Sequence, residues 1–574
     1  MGVGHSPVWR HLECDTDAAE IVSRDLSIDP VVARLLVQRG ITNPAEAERF
    51  LSPALDHLHN PFQLTDLAAG VDRLLGAVAR QHTIAVHGDY DVDGITSTVM
   101  LQRALSLLGA NVSNYIPERL RDGYGLQPSG IDRLHANGVR VVVSVDCGIR
   151  SLKAAERAKE LGIDLIITDH HEPGEMLPPA LAVINPRRSD CRYPDKDLAG
   201  AGVAFKLVQG LCIRSDRTKW LPSFLKLAAI GTLADVVPLR GENRVISKLG
   251  LDRLSTSSHT PGLQALLAVS GVANQRLGGE DVTFRVAPRI NAAGRMSSPD
   301  IATKLLLVTD SGSKLEAREL ADHLDAENTR RRNEEATVGA EVDRILERDP
   351  AIVEKCGLVI CAEGWHRGVI GIVASKLVDR FARPAIVLSI DGDKAHGSGR
   401  SIANFDLLGA LEHCADLLIQ FGGHRQAAGL VVNTGRLEEF RRRFVEYAGQ
   451  ALAPQDLVPR LAVDGRLPLT DIGDRLLGDL RAMEPFGSGN RRPIFCAGPV
   501  EVVDGPHTVQ KQHLRMTVRQ GRARFRAVAW RAAERAPVFA DRRTGLNLAY
   551  SLGENTYQGI ASVQLTVADA TEAR

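Results

Sequence analysis

Asp89, Asp91 and Asp93 stand at alternate positions in His87-Gly88-Asp89-Tyr90-Asp91-Val92-Asp93-Gly94, with a glycine on either side. Three carboxylates this close repel one another, and some would stay protonated unless a cation joined them. Hard oxygen ligands grouped in this way suit Mg²⁺, Mn²⁺ or Ca²⁺. Asp-x-Asp-x-Asp-Gly also opens an EF-hand calcium loop, but that loop needs a bidentate glutamate at its twelfth position. Counted from Asp89, that position is Met100, and an apolar strand leads into the loop where an EF-hand has a helix. The EF-hand is excluded. A solvated acidic turn would also explain this stretch taken alone, so the metal reading depends on further ligands at other strand ends.

The elements around the acids supply them. Thr83–Val86 is an apolar run, and Ile95–Leu108 reads as a helix with Val99, Ala104, Leu105 and Leu108 along one stripe. The acids therefore sit at the mouth of a strand-to-helix turn, where an open parallel sheet binds its ligand. Apolar runs at 112–116, 141–145, 164–168 and 181–184 follow, separated by helical stretches at 129–137 and 151–161. That alternation predicts an α/β, doubly wound parallel sheet. Asp146-Cys147-Gly148 follows the run at 141–145, and Asp169-His170-His171 follows Leu165–Thr168. Asp235 follows Ala228–Ala234, which reads as a further strand. Acids and histidines at four such places make a site rather than noise.

The 574 residues are enough for about three or four domains. At 44% hydrophobic and 24% charged, the composition is that of a globular protein with several cores. Seventy basic and seventy acidic residues cancel. A nucleic-acid partner is neither demanded nor excluded, because a local basic face can hide in a neutral total. Eight scattered cysteines with no Cys-x-x-Cys pair argue against a zinc site or a disulfide framework, and a reducing cytoplasm is expected. No run approaches the length of a membrane span, and the N-terminus lacks a signal-peptide core. Met1-Gly2 to Ser6 fits a myristoylation pattern, but no basic cluster provides a second anchor, so the match is taken as chance.

Residues 1–75 read as an auxiliary helical segment, with Pro30–Arg39 and Pro44–Leu51 each opened by proline. The sheet-bearing catalytic domain is placed at 76–310 and a linking helix at 311–350, since Lys314–Val338 holds no glycine or proline and is heavily charged. A second α/β unit, 351–450, is marked by strands at Leu358–Cys361 and Ala385–Ile390 and a helix from Val369 to Arg380. Its glycine-rich loops carry Ser398, Arg400 and His424, groups suited to holding phosphate, although each loop alone is a weak signal. Residues 456–574 turn toward short strands. Arg522, Arg524 and Arg526 alternate with period two, and ten Lys/Arg between 491 and 535 face only Glu501, Asp504 and Glu534. With Phe486, Phe525 and Trp530 as stacking surfaces, this region suits a β-rich OB-fold as well as it suits an ordinary solvated face.

The motifs in order resemble those of the DHH phosphoesterases: His87–Gly94, Val145–Gly148, Thr168–His171 and Gly231-Thr232-Leu233-Ala234-Asp235-Val236-Val237-Pro238. Within that superfamily the likeness is to the RecJ-type single-strand-specific exonucleases. It extends through Pro117-Glu118-Arg119, Gly123–Leu126, Pro288–Arg295, Glu363–Gly368, Gly397–Ser401, Gly422–Gly429 and Pro485–Asn490, and so spans nearly the whole chain. The resemblance implies a catalytic domain, a long helix, a DHH-associated α/β domain and a C-terminal OB-fold. It also implies release of 5′-mononucleotides from single-stranded DNA in the 5′→3′ direction, in repair and recombination. A single-strand-binding protein and a helicase are the partners it suggests.

Phosphodiester hydrolysis at neutral pH is served by two divalent cations, Mn²⁺ or Mg²⁺. Asp146 is the candidate bridge, with Asp89, Asp91 and Asp93 as one bank of ligands and His170 and Asp235 completing the other. Which of the three clustered aspartates faces which ion stays open. An imidazole ligand tilts the preference toward Mn²⁺. His171 is expected to donate to a phosphate oxygen, and Asp169 to orient a histidine by accepting its ring N–H. Arg119, Arg289 and Asn291 are candidates to hold the DNA backbone, and Ser398, Arg400 and His424 to cap a 5′-phosphate. Two other readings compete: a DHH enzyme for short oligonucleotides or cyclic dinucleotides, and a non-catalytic replication scaffold. The basic third domain argues against the first, and the full set of acids and histidines against the second.

Overall fold

The computed structural model describes residues 7–118, 125–540, 545–557 and 560–572. The chain forms two compact units. One comprises Asp15–Thr329 with Arg475–Arg492, and the other Met1–Cys14 with Arg330–Asp474 and Pro493–Arg574.

The first unit is built on a five-stranded sheet. Ile84–Gly88 pairs in parallel with Val112–Tyr115 on one side and with Val141–Val145 on the other, followed by Asp164–Thr168 and Ala182–Ile184. The three central strands are buried almost throughout, which is why their sequence reads as continuous Val/Ile runs rather than an alternation. Alternate residues feed two cores. Ile84, Val86, Val141, Val143 and Ile166 face one helical layer, and Ala85, Val142, Leu165 and Ile167 face the other. The chain leaves Ile84–Gly88 toward one edge and returns on its other side at Val141–Val145. The topological switch point therefore lies at the C-terminal ends of these two strands.

Helix Val92–Leu107 starts in the acidic loop. Helices Gly200–Arg214 and Leu221–Ala234 pack against it. Leu221–Ala234 corrects one expectation: the run ending in Asp235 is a helix, not a strand. Nine of its residues are buried, so no polar face marks a helical period, and a short apolar window is ambiguous between the two elements. Residues 475–492 belong to this unit as well. Arg39 donates from Nε to Asn490 Oδ1 (2.9 Å), the buried Asn490 amide donates to Met483 and Pro485 carbonyls, and Arg244 donates to the Ala482 carbonyl (3.0 Å). The C-terminal region is thus not one continuous body.

In the second unit, Leu358–Glu363 pairs in parallel with Ala385–Asp391, and Lys394–Arg400, Ala427–Asn433 and Leu418–His424 continue the sheet antiparallel. Phe495–Val509, His513–Gln520, Ala523–Ala529, Ile560–Glu572 and Leu546–Tyr557 form a ring of strands, closed by pairing of the last with the first. This five-stranded closure is the OB-fold expected from the sequence. The N-terminal segment is not wholly helical: Val8–His11 is a strand paired in parallel with Arg460–Val463, and Trp9 Nε1 donates to Asp569 Oδ2 (2.6 Å). A partner some 450 positions away cannot be read from local pattern. The 35-residue helix Lys314–Arg348 runs from one unit into the other.

Candidate metal centre

Asp89 follows the first strand directly and is buried. Its loop is tight because Gly94 sits against it: a Cβ there would lie 2.5 Å from the Asp89 carbonyl oxygen and 2.6 Å from its nitrogen. Asp91 caps helix Val92–Leu107, its Oδ1 accepting from Gly94 N (3.1 Å). Asp93 is buried and accepts from Gly200 N and Ala201 N, one on each oxygen, at 2.7 Å. The carboxylate thereby neutralises the first N–H groups of helix Gly200–Arg214.

Asp146 directly follows strand Val141–Val145 with φ +61°, the left-handed region that a non-glycine residue adopts only where the surroundings enforce it. Asp169 is the organiser of its own turn. Its Oδ1 accepts from His170 N (2.7 Å), His171 N (3.0 Å) and His171 Nδ1 (2.7 Å), and Oδ2 accepts from Ile149 N (2.9 Å). The histidine it orients is therefore His171. The His170 ring hydrogen-bonds the Leu198 backbone through its other nitrogen, and its Nε2 lies 3.2 Å from Asp146 Oδ1 and 3.6 Å from Asp235 Oδ2.

The electrostatics of this arrangement call for a cation. Burial, with the His171 charge, pulls His170 down to about 4, so its ring is neutral at pH 7. A neutral ring that donates to a carbonyl on one side presents a lone pair on the other. That lone pair faces two carboxylate oxygens, and Asp146 Oδ1, His170 Nε2 and Asp235 Oδ2 are all buried without a hydrogen-bond partner. Burial and then the neighbouring acids push Asp146 and Asp235 well above the usual carboxylate range, and the same causes push Asp93 up to about 7. Three convergent acceptors with no donor among them fit a divalent cation. Ligand atoms within 4.8 Å of one another form three overlapping groups: Asp89, Asp91 and Asp146; Asp93, His170 and Asp235; and Asp146, His170 and His171. Asp146 belongs to two of them. For Asp169, burial raises the carboxyl but the His171 contacts outweigh it and hold it below its ordinary value; His171 is raised in turn, against its own burial, by Asp169.

Helix Ala287–Met296 backs onto the metal loop, since a Cβ on Gly294 would lie 2.8 Å from the Tyr90 carbonyl. Arg289, on this helix, is not a free fork. Its Nε pairs with Asp325 (2.8 Å), and its Nη1 donates to the Arg285 carbonyl (2.6 Å). Asn291 is half-buried on the same helix, and Arg119 lies outside the described residues. Ser398 and Arg400 sit on a strand, Lys394–Arg400, and His424 ends another, Leu418–His424, so none of the three is on a loop. Ala427 is the register partner of both Arg400 and His424. Arg400 Nη1 donates to Ser398 Oγ (3.1 Å), and a Cβ on Gly371 would meet Ser398 Oγ at 2.8 Å and Arg400 Nη2 at 3.0 Å. Hydroxyl, guanidinium and the first turn of helix Ile370–Phe381 thus meet at one point, a combination suited to an anion.

In the C-terminal barrel Arg524 and Arg526 are exposed on one face of Ala523–Ala529, with Arg522 exposed in the turn before it. Trp530 is 60% exposed and set edge-on to His513, with ring centroids 4.8 Å apart. Phe486 belongs to the other unit, under the Arg492 guanidinium. Sequence reasoning missed the Gly200 and Ala201 amides that hold Asp93. The Gly-x-Gly that opens their helix was the available signal.

A parallel sheet whose switch point gathers five acids and a neutral histidine, followed in the chain by a second α/β domain, defines a metal-dependent phosphoesterase of the DHH class. Residues 83–232 match the DHH family, N-terminal domain, 350–450 the DHHA1 domain and 463–569 the RecJ OB domain. The chain is 36% identical over 96% of its length to the single-stranded-DNA-specific exonuclease RecJ of Salmonella typhimurium, covering 98% of that protein. It is 38% identical over 92% of its length to RecJ of Bacillus subtilis, of which it spans 66%. The structure matches RecJ of Thermus thermophilus in complex with Mn²⁺ with a TM-score of 0.83 at 30% identity, covering 98% of this chain and 79% of that one. It matches the same protein with Mg²⁺ at 0.76 and 28%, covering 98% and 78%. The chain belongs to the RecJ family of single-strand-specific exonucleases.

Proposed function

We propose that this chain hydrolyses single-stranded DNA to 5′-mononucleotides from the 5′ end, using two divalent cations, Mn²⁺ or Mg²⁺. The observation that carries the reading is the convergence of Asp146 Oδ1, His170 Nε2 and Asp235 Oδ2, all buried and without donors. Bound among these residues, two cations supply an activated water and neutralise charge on the attacked phosphate. Asp89, Asp91 and Asp146 would hold one cation, and His170 and Asp235 the other, with Asp146 able to serve both. Asp93, grouped with Asp89 and Asp91 on sequence alone, is reassigned to the second bank because its carboxylate lies with His170 and Asp235. Its oxygens are already held by amides, so it fixes the geometry there and completes the set with its remaining lone pairs. His171, locked by Asp169 and biased toward its protonated form, donates to a phosphate oxygen. Asn291 contributes to backbone contact. Arg289 does so only by leaving Asp325, and Arg119 stands as a candidate from sequence.

Ser398, Arg400 and His424 cap a terminal 5′-phosphate and so set polarity. A terminal phosphate carries charge that an interior one lacks, and a charge-assisted contact to it contributes about 1.5–3 kcal/mol. Arg400→Ala should therefore lower kcat/KM on 5′-phosphorylated strands about tenfold to a hundredfold and affect 5′-hydroxyl strands much less. An equal loss on both would place Arg400 elsewhere on the strand. The activity fits repair and recombination in the cytoplasm, downstream of a helicase and a single-strand-binding protein that produce and present the substrate. The eight cysteines, all free, suit that compartment.

A further inference from the structure

A second concentration of charge lies at the far ends of the helices that carry the metal loop. Arg103 is near the end of helix Val92–Leu107, Lys226 is in the second turn of Leu221–Ala234, and Arg253 is in the last turn of Gly241–Thr256. The packing brings the three helices together in register. A Cβ on Gly231 would lie 2.5 Å from Thr96 Oγ1, which sets the end of one helix beside the start of another. A Cβ on Gly250 would lie 2.5 Å from the Leu225 carbonyl, which puts Arg253, one turn on, beside Lys226. Burial depresses the Lys226 pKa, and the charges of Arg253 and Arg103 depress it further, as expected of three cations in one neighbourhood.

Among the described residues, none of the three is neutralised by an acid. Lys226 Nζ donates to the Ser258 carbonyl and lies 3.2 Å from His259 Nδ1, both neutral acceptors. Among the described residues no carboxylate pairs with Arg103, Lys226 or Arg253, and no acid figures among the charges felt by Lys226. The well-buried Arg73, Arg188 and Arg289 are matched to Asp164, to Asp66 and Asp190, and to Asp325, and the buried Arg39 and Arg244 are met by Asn490 and backbone carbonyls, whereas among the described residues the Arg103 and Arg253 guanidiniums make no side-chain hydrogen bond. Burying like charges together is costly unless a counter-charge joins them, the same reasoning that assigns cations to the acidic cluster. Ten residues of helix separate Asp93 from Arg103 and nine separate Lys226 from Asp235, about 13–15 Å at 1.5 Å per residue. A phosphate held by the acidic site's cations does not reach these side chains.

We infer that Arg103, Lys226 and Arg253 form a second anion site, which takes a phosphoryl group, either free or in the backbone of a bound strand. Two guanidinium forks and an ammonium carried into one neighbourhood by three packed helices match the several oxygens of a tetrahedral oxyanion better than a single-point anion such as chloride. All three side chains are half-buried, so the site is open to solvent on one side.

Inorganic phosphate is the probe. The full-length protein with Mg²⁺, titrated at low ionic strength, should bind phosphate with an affinity that falls at least tenfold in Arg103→Gln and in Arg253→Gln and persists in Asp235→Asn. In phosphate-free buffer the two arginine variants should melt no lower than wild type, because each relieves repulsion, while losing the rise in Tm that phosphate confers on wild type. Binding to a single-stranded oligonucleotide separates the two sources. A slope of log affinity against log salt that is shallower by about 0.7 in Arg253→Gln assigns the site to a backbone phosphate, and an unchanged slope assigns it to a free phosphoryl group. Phosphate binding that is unaltered in both arginine variants, or that vanishes in Asp235→Asn alone, overturns the site. So does a lower Tm of the arginine variants without phosphate, which would make these side chains packing groups.

Discussion

Gly200→Ala places a single methyl group where the metal centre has no room for one. The added Cβ would lie 2.4 Å from Asp146 Oδ1, 2.7 Å from its Cγ and 2.8 Å from its Cβ. Ordinary carbon contacts are about 3.5–4.0 Å, so Asp146 or the start of helix Gly200–Arg214 must retreat by about 1 Å. Neither retreat is harmless. Asp146 already sits in the left-handed region, and the Gly200 amide is one of the two that hold Asp93. Metal–ligand distances tolerate about 0.2 Å, so a 1 Å displacement disrupts both banks at once. Misplacing a reacting group by that much costs about 10²-fold, or roughly 2.7 kcal/mol in the barrier. Stability should change less. Overpacking costs about 1–3 kcal/mol, and alanine in place of a helical glycine returns about 0.5–1 kcal/mol. The measurements are kcat/KM for nucleotide release from a 5′-labelled single strand in Mn²⁺, and a calorimetric Mn²⁺ titration. Gly202→Ala is the control, because its closest Cβ contact is the flexible end of Leu198, at 3.0 Å, and activity should stay within a few-fold of wild type. If Gly200→Ala kept near-normal turnover and its full complement of Mn²⁺, the assignment of Asp146 to the ions would be wrong.

Asp169→Asn removes the charged acceptor that fixes the His171 ring, so turnover should drop about 10–100-fold with Mn²⁺ stoichiometry intact; loss of an ion instead would make His171 a ligand. In chelator-treated protein, Asp93, raised to about 7 by burial and the Asp91 charge, keeps a proton that the unfolded chain releases above about pH 4. The stability this contributes is present at the lower pH and lost as pH rises through about 7, so Tm should fall from pH 5 to pH 8 in wild type and fall less in Asp93→Asn, and a rise in both would contradict the burial argument. Replacing Arg522, Arg524 and Arg526 together by alanine should make the slope of log affinity against log salt shallower by about 2 for single-stranded DNA, and an unchanged slope would reduce the arginine strand to solvated surface. Truncation after residue 455 is a poor substitute for that experiment, since it removes 475–492, whose carbonyls and Asn490 satisfy Arg39 and Arg244 in the catalytic unit.

What the sequence determined by itself is local. The grouping of Asp89, Asp91, Asp146, Asp169, His170 and His171 is legible because Asp89, Asp146 and Asp169 directly follow buried strands, with the other three in the same turns, and a parallel sheet brings the C-terminal ends of its strands to one rim whatever the rest of the chain does. The period-two arginines of Ala523–Ala529 were legible for the same reason, since alternation fixes a face within a few residues. Tertiary structure alone decided which groups are spent on one another. Arg289 looked like a free phosphate fork until Asp325, on another helix, took it, and Asp93 looked like an uncommitted ligand until two amides from residue 200 onward claimed both oxygens. Asp235 does come to lie beside His170, but the segment before it reads as a strand and is a helix, because a segment buried on every side loses the polar stripe that distinguishes the two periods. Pairing of Val8–His11 with Arg460–Val463, and return of 475–492 to the first unit, depend on contacts between residues hundreds of positions apart. Local pattern encodes what kind of element a segment forms. The partner of a buried charge is set by packing at long range, and short-range spacing carries no record of it.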